Sequence, residues 1–164
     1  MPRVWLSLGS NRQRETSIRG ALAALRARFG ELVVSSVYES AAVGFTGSPF
    51  YNLVVGMETG LPPAELEAIF HRIEADLGRT RDGPRFGPRT LDIDLLTYGD
   101  LVTTEGAHPL PREDILEYPF VLGPLAEVAP GERHPVTGRT YEELWAAWPE
   151  AGHRALRRVS MALT

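Results

Sequence analysis

Residues 83–99 read GPRFGPRTLDIDLLTYG, and the segment 90–98, TLDIDLLTY, decides the fold. It is rich in β-branched and apolar residues, so it reads as a strand. Leu91, Ile93 and Leu95 alternate with Asp92 and Asp94. In a strand, residues two apart share a face, with Cβ atoms roughly 6–7 Å apart. The leucine–isoleucine face looks to a core, and the two carboxylates share the other.

Working outward, residues 79–89 carry Arg79, Arg81, Arg85 and Arg89, opposed only by Asp82. Gly83, Pro84, Gly87 and Pro88 make this stretch a loop able to close over a ligand. Before it, Leu66, Ile69, Phe70, Ile73 and Leu77 form one helical stripe, opened by Pro62 and Pro63 and closed by Gly78. FYNLVVGME (50–58) reads as a strand, and AAVGFTGSP (41–49) as a loop after the strand-like ELVVSSVYES (31–40). Ile18, Ala21, Leu22, Leu25 and Phe29 repeat the helical stripe, stopped by Gly30. RVWLSL (3–8) is a first strand ending in a Gly9-Ser10-Asn11 turn. The order β-α-β-β-α-β predicts an α+β fold of ferredoxin-like plan, an antiparallel sheet with both helices on one face. Short helices interrupted by proline are expected over 112–130, and one more over 140–148.

The chain has 164 residues and 43% hydrophobic content, which fits one domain spanning 1–164. No apolar run approaches the ~20 residues that cross a bilayer. The opening MPRVWLSLGSN is too briefly apolar for a signal peptide, so a cytoplasmic address is expected. A net charge of −4 argues against nucleic-acid binding. No Cys is present, which excludes thiolate chemistry, and all 17 basic residues are Arg, which excludes Schiff bases and a P-loop lysine.

Two like charges on one strand face need a cation or arginines nearby. Hard oxygen ligands suit Mg²⁺, and arginines fork onto phosphate oxygens. Together they suggest Mg²⁺–polyphosphate chemistry, against the alternative of a solvated sheet face followed by a solvated charge run. Asn52 sits inside an apolar strand with Phe50 two residues earlier on the same face. An amide beside an aromatic can read and stack a flat heterocycle, although a satisfied edge amide and a core Phe are the ordinary alternatives. His71 and Glu74, three apart on the second helix, are left unassigned by the residues alone.

The stretch GPRTLDIDLLTYG resembles the signature of the 6-hydroxymethyl-7,8-dihydropterin pyrophosphokinase family. LSLGSN, FYNLVV, RIEADLGRTR and FVLGPLAEVAP extend the resemblance in order over residues 4–130. It implies transfer of the β,γ-pyrophosphate of ATP to the pterin hydroxymethyl group, with AMP released. It implies that Asp92 and Asp94 hold two Mg²⁺ ions and that Arg79, Arg81 and Arg89 contact ATP phosphates. Arg85 and Phe86 would belong to the closing loop, and His71, Glu74, Leu95 and Arg112 to the ATP site. Asn52 would hydrogen-bond the pterin between Phe50 and Phe120, with Ser40, Ala41 and Val43 completing the pocket. Phe50 stands where the family often has Tyr, His71 where it often has Gln, Arg112 where it has His, and Tyr118 where it has Arg. The resemblance implies ATP and the pterin as partners, with no nucleic acid or membrane, and a monomer is expected. The other readings are a Mg²⁺-dependent phosphoesterase and a non-catalytic ferredoxin-like binding module.

Overall fold

The structure is a computed structural model that describes residues 1–40, 49–78 and 91–163. Strand β1 spans Arg3–Ser10, helix α1 Arg14–Phe29, β2 Val33–Val34, β3 Val37–Ser40 and β4 Phe50–Glu58. They are followed by α2 Pro63–Gly78, β5 Asp92–Tyr98, α3 Asp114–Glu117, α4 Pro119–Val128, α5 Tyr141–Ala146, α6 Glu150–Arg154 and β6 Arg157–Val159. The sheet order is β5-β1-β4-β3-β6, with β2 also on β4, and every pairing is antiparallel. The expected βαββαβ plan is therefore present.

The long strands alternate between two cores. Val4, Leu6, Leu8, Leu53, Val55, Met57, Ile93 and Leu95 meet the predicted stripes of α1 and α2 on one face. Trp5, Val54 and Leu96 meet Ile115, Val121, Leu122, Leu125 and Tyr141 on the other. Thus the C-terminal helices are a second layer. Gly56 makes room for Trp5, since a Cβ there would lie 2.4 Å from its ring.

Four expectations change. The strand expected over 31–40 is broken into β2 and β3, because the Ser35 hydroxyl accepts from Val54 N (2.8 Å) and interrupts the ladder. Gly9 and Ser10 are strand rather than turn, paired with Asn52 and Tyr51 of β4. The helix expected over 140–148 ends at Ala146, and α6 follows Pro149. Strand β6 was not expected. It adds a sheet edge through Val37↔Val159 and Glu39↔Arg157.

Candidate active site

Three strand columns on the second face run from apolar to polar. β4 carries Val54, Asn52 and Phe50, β1 carries Trp5, Ser7 and Gly9, and β5 carries Leu96, Asp94 and Asp92. The register places Asn52, Gly9 and Asp92 in one row across three adjacent strands, and Val54, Ser7 and Asp94 in the next. With strands ~4.8 Å apart, the amide and the carboxylate stand on backbones roughly 10 Å apart over a glycine floor.

Asn52 is buried, and its Nδ2 donates to Ser40 Oγ at 2.6 Å. Its Oδ1 lies over Gly9, 3.4 Å from where a Cβ would stand. Phe50 borders the same point, with Cδ1 3.7 Å from that position. Phe120 comes from the first turn of α4 and stacks on Tyr118, ring centroids 5.0 Å apart at 20°.

The β5 end is strongly charged. Asp94 Oδ1 lies 3.7 Å from Arg112 Nη2, and Arg112 Nε lies 3.3 Å from Asp114 Oδ2. Arg112 Nε has no aligned hydrogen bond, so charge rather than geometry holds this guanidinium. Its main-chain N–H donates to Leu96 O (2.7 Å), fastening the segment beside β5. Burial pushes the Asp94 carboxyl above the usual range, and Arg112 pulls it back; Asp114 adds to the rise, while His108 and His71 oppose it. On α2, Glu74 Oε2 accepts from Ile93 N at 2.8 Å. Burial raises its carboxyl too, with Asp92 and Asp94 adding repulsion and His71 opposing it.

Ser40, Phe50, Asn52, His71, Glu74, Asp92, Asp94, Arg112 and Phe120 are therefore all described, and the sheet places Ser40, Phe50, Asn52, Asp92 and Asp94 on one face. Leu95 differs. Its side chain is in the core at 2% exposure, which leaves only its main chain for a ligand. Ala41, Val43, Arg79, Arg81, Arg85, Phe86 and Arg89 lie outside the described residues. Gly9 and Asp114 were missed as site residues, because cross-strand register and the fold of 107–118 carry no local sequence signal.

Two hard carboxylates on one strand face, Asp92 and Asp94, with Glu74 close enough to feel the charge of both, fit Mg²⁺. Among the described residues, no three His, Asp or Glu side chains enclose a metal by themselves. An open groove of ≈1010 Å³ lies elsewhere, at the Arg3 and Glu58 strand ends, and carries none of these groups.

Residues 5–130 match the family described as 7,8-dihydro-6-hydroxymethylpterin-pyrophosphokinase (HPPK). The chain belongs to this family. It is 38% identical over 154 residues to the 2-amino-4-hydroxy-6-hydroxymethyldihydropteridine pyrophosphokinase of Bacillus subtilis, covering 90% of each. It is 39% identical over 155 residues to the same-named protein of Pseudomonas aeruginosa, covering 92% of this chain and 94% of the relative. A Plasmodium falciparum HPPK-DHPS crystal structure shares the fold at TM-score 0.70 and 14% identity, over 89% of this chain. The chain spans 43% of that longer protein. Membership makes this an enzyme, a pyrophosphokinase of folate synthesis. None of its described helices is long and apolar enough to cross a membrane.

Proposed function

We propose that the row Asn52–Gly9–Asp92 is where 6-hydroxymethyl-7,8-dihydropterin and ATP meet. Asn52 reads the pterin edge, and Phe50 and Phe120 hold its ring. The hydroxymethyl group then points along the row towards the aspartates. Its oxygen bonds to the β-phosphorus of ATP, the bond from that phosphorus to the α,β-bridging oxygen breaks, and AMP leaves. The hydroxyl proton passes to solvent.

Asp92 and Asp94 would hold Mg²⁺, two ions on this reading, and the metal would supply charge neutralisation for the phosphates. Arg112 already faces Asp94 without a fixed hydrogen bond, so it can turn to a phosphate oxygen. Glu74 accepts from Ile93 N and sets the position of the start of β5. Arg79, Arg81 and Arg89 contact phosphates, with Arg85 and Phe86 in the closing segment. His71 lines the nucleotide side. Ala41 and Val43 complete the pterin side. Positioning and charge stabilisation carry such a transfer, with little covalent work for the protein.

The observation that carries this reading is the shared row, which sets a heterocycle-reading amide and a hard carboxylate about two strand spacings apart. Incubation with ATP, Mg²⁺ and the hydroxymethyl-dihydropterin, followed by chromatography, tests it. AMP should form only when the pterin is present. ADP as main product, or hydrolysis independent of pterin, would favour the phosphoesterase; no turnover would leave a binding module.

A further inference from the structure

The chain leaves β1 through residues 11–13, with Gln13 in the left-handed region (φ 50°), and this turn starts α1 at Arg14. Arg14 then reaches back under the sheet. Its guanidinium carbon lies 3.8 Å from the Tyr51 ring centroid. Its Nη1 donates to Glu39 Oε2 at 2.9 Å and to the Pro49 carbonyl at 3.1 Å. The other Glu39 oxygen accepts from Arg157 of β6 at 3.0 Å.

Glu39, Pro49 and Tyr51 are the chain neighbours of Ser40 and Phe50, and the register pairs Glu39 with Tyr51 and Ser40 with Phe50. Strand alternation puts Glu39 and Tyr51 on the α1 face, and Ser40, Phe50 and Asn52 on the site face. A single guanidinium therefore grips, from beneath, the two backbone ends whose upper side chains form the pterin subsite.

We propose that Arg14 is a positioning residue for the pterin: it sets the spacing of the β3 and β4 ends. That spacing fixes the buried Ser40–Asn52 hydrogen bond, and the bond in turn turns Asn52 Oδ1 over Gly9. The inference rests on the pterin subsite assigned above. An isolated surface ion pair would do little. Here one cation is shared among a carboxylate, a carbonyl and a ring face, and its side chain is only 28% exposed. Arg14 needs no contact with either substrate to act.

Steady-state KM for pterin and for ATP, kcat and Tm are measured for wild type, Arg14→Met, Arg14→Lys and Asn52→Ala. Arg14→Met should raise the pterin KM about fivefold or more, the factor that ~1 kcal/mol represents. The ATP KM should stay unchanged, and Arg14→Lys should restore most of the loss. Asn52→Ala separates the two claims. If it leaves the pterin KM unchanged, the subsite itself is misassigned. If it raises that KM while Arg14→Met does not, or if Arg14→Met raises both KM values equally, the positioning role is overturned. Should Arg14→Met fail to fold, Glu39→Gln keeps the size and removes the charge. A pterin KM equal to wild type in that variant overturns the role as well.

Discussion

Gly9→Ala is a sharp test of the shared row. Gly9 is extended, paired with Asn52 on one side and Asp92 on the other, and is not among the residues with positive φ. An alanine Cβ would stand 3.4 Å from Asn52 Oδ1 and 3.7 Å from Phe50 Cδ1, which is ordinary packing distance. The free protein should accept it. Removing a glycine from a strand stabilises by roughly 0.5–1 kcal/mol, so Tm should hold or rise slightly. The bound state is different. The methyl carbon stands about 1.5 Å above the Cα, so a ring resting on the glycine must lift by about that much. A hydrogen bond of about 2.9 Å to Asn52 does not survive such a shift. An unmet buried polar group costs about 1–3 kcal/mol, which is about 5- to 150-fold in affinity. Pterin and ATP affinities are measured separately by calorimetric titration, with Tm on the same samples. Pterin affinity should fall within that range while ATP affinity holds. An unchanged pterin affinity would refute the glycine floor, and a Tm loss of several degrees would refute the packing argument.

Two further outcomes follow from charge. Asp94 has its carboxyl raised mainly by burial, so the folded chain binds this proton more tightly than the unfolded one. Its favourable contribution is full below the ordinary carboxylate value and is lost as pH rises through the raised one. Asp94→Asn should therefore melt higher than wild type at pH 7, with the gap closing in acid, while turnover falls at least about 100-fold; a lower Tm at pH 7 would mean that the Arg112 pairing outweighs burial. Glu127 is the opposite case. Burial raises its carboxyl, but hydrogen bonds from Tyr38 and Ser36, with the Arg158 charge, outweigh this and hold it below the usual range. Its contribution is present above the unfolded value and is lost as pH falls through the folded one. Glu127→Gln should cost about 1 kcal/mol at pH 7, or roughly 2–4 °C in Tm, and progressively less as pH falls through the lowered carboxyl range; an equal loss at pH 7 and in acid would place the effect in shape rather than charge.

The legible parts of the sequence were those with their own period. Ile18 to Leu25 and Leu66 to Ile73 announce α1 and α2, and the Asp92–Asp94 alternation announces the outer face of β5. What was hidden depends on partners remote in sequence. Ser35 ends β2 only because its hydroxyl meets Val54 N. The Arg157-Arg158-Val159 segment has no apolar pattern, yet it pairs as β6, where Arg157 meets Glu39 and Arg158 meets Glu127. The second helical layer was only half visible, because Leu53, Val54 and Val55 form an unbroken apolar run that a strand buried on both faces requires. In the site, Asn52 and the aspartates were visible as odd residues in apolar strands. Gly9 and Arg14 were not, since a glycine in a turn-like triplet and an arginine at a helix start are ordinary locally.

The position of the site follows from where the second layer stops. On one face, Val54, Trp5 and Leu96 pack against α3, α4 and α5. One and two pairs further along the same strands, Ser7, Asp94, Asn52, Gly9 and Asp92 replace them. A helix cannot cover that half cheaply, because burying two carboxylates without a cation costs several kcal/mol per ion. α4 instead begins at Pro119, with Phe120 in its first turn stacked on Tyr118 and packed at the edge of this second core. Among the described residues, this polar half lies outside the second core cluster, and its chemistry suits something that brings positive charge and a flat ring. On the function proposed above, a metal-bound nucleotide and a pterin would supply both, and the unfavourable aspartate pair of the free chain would become binding energy when they arrive.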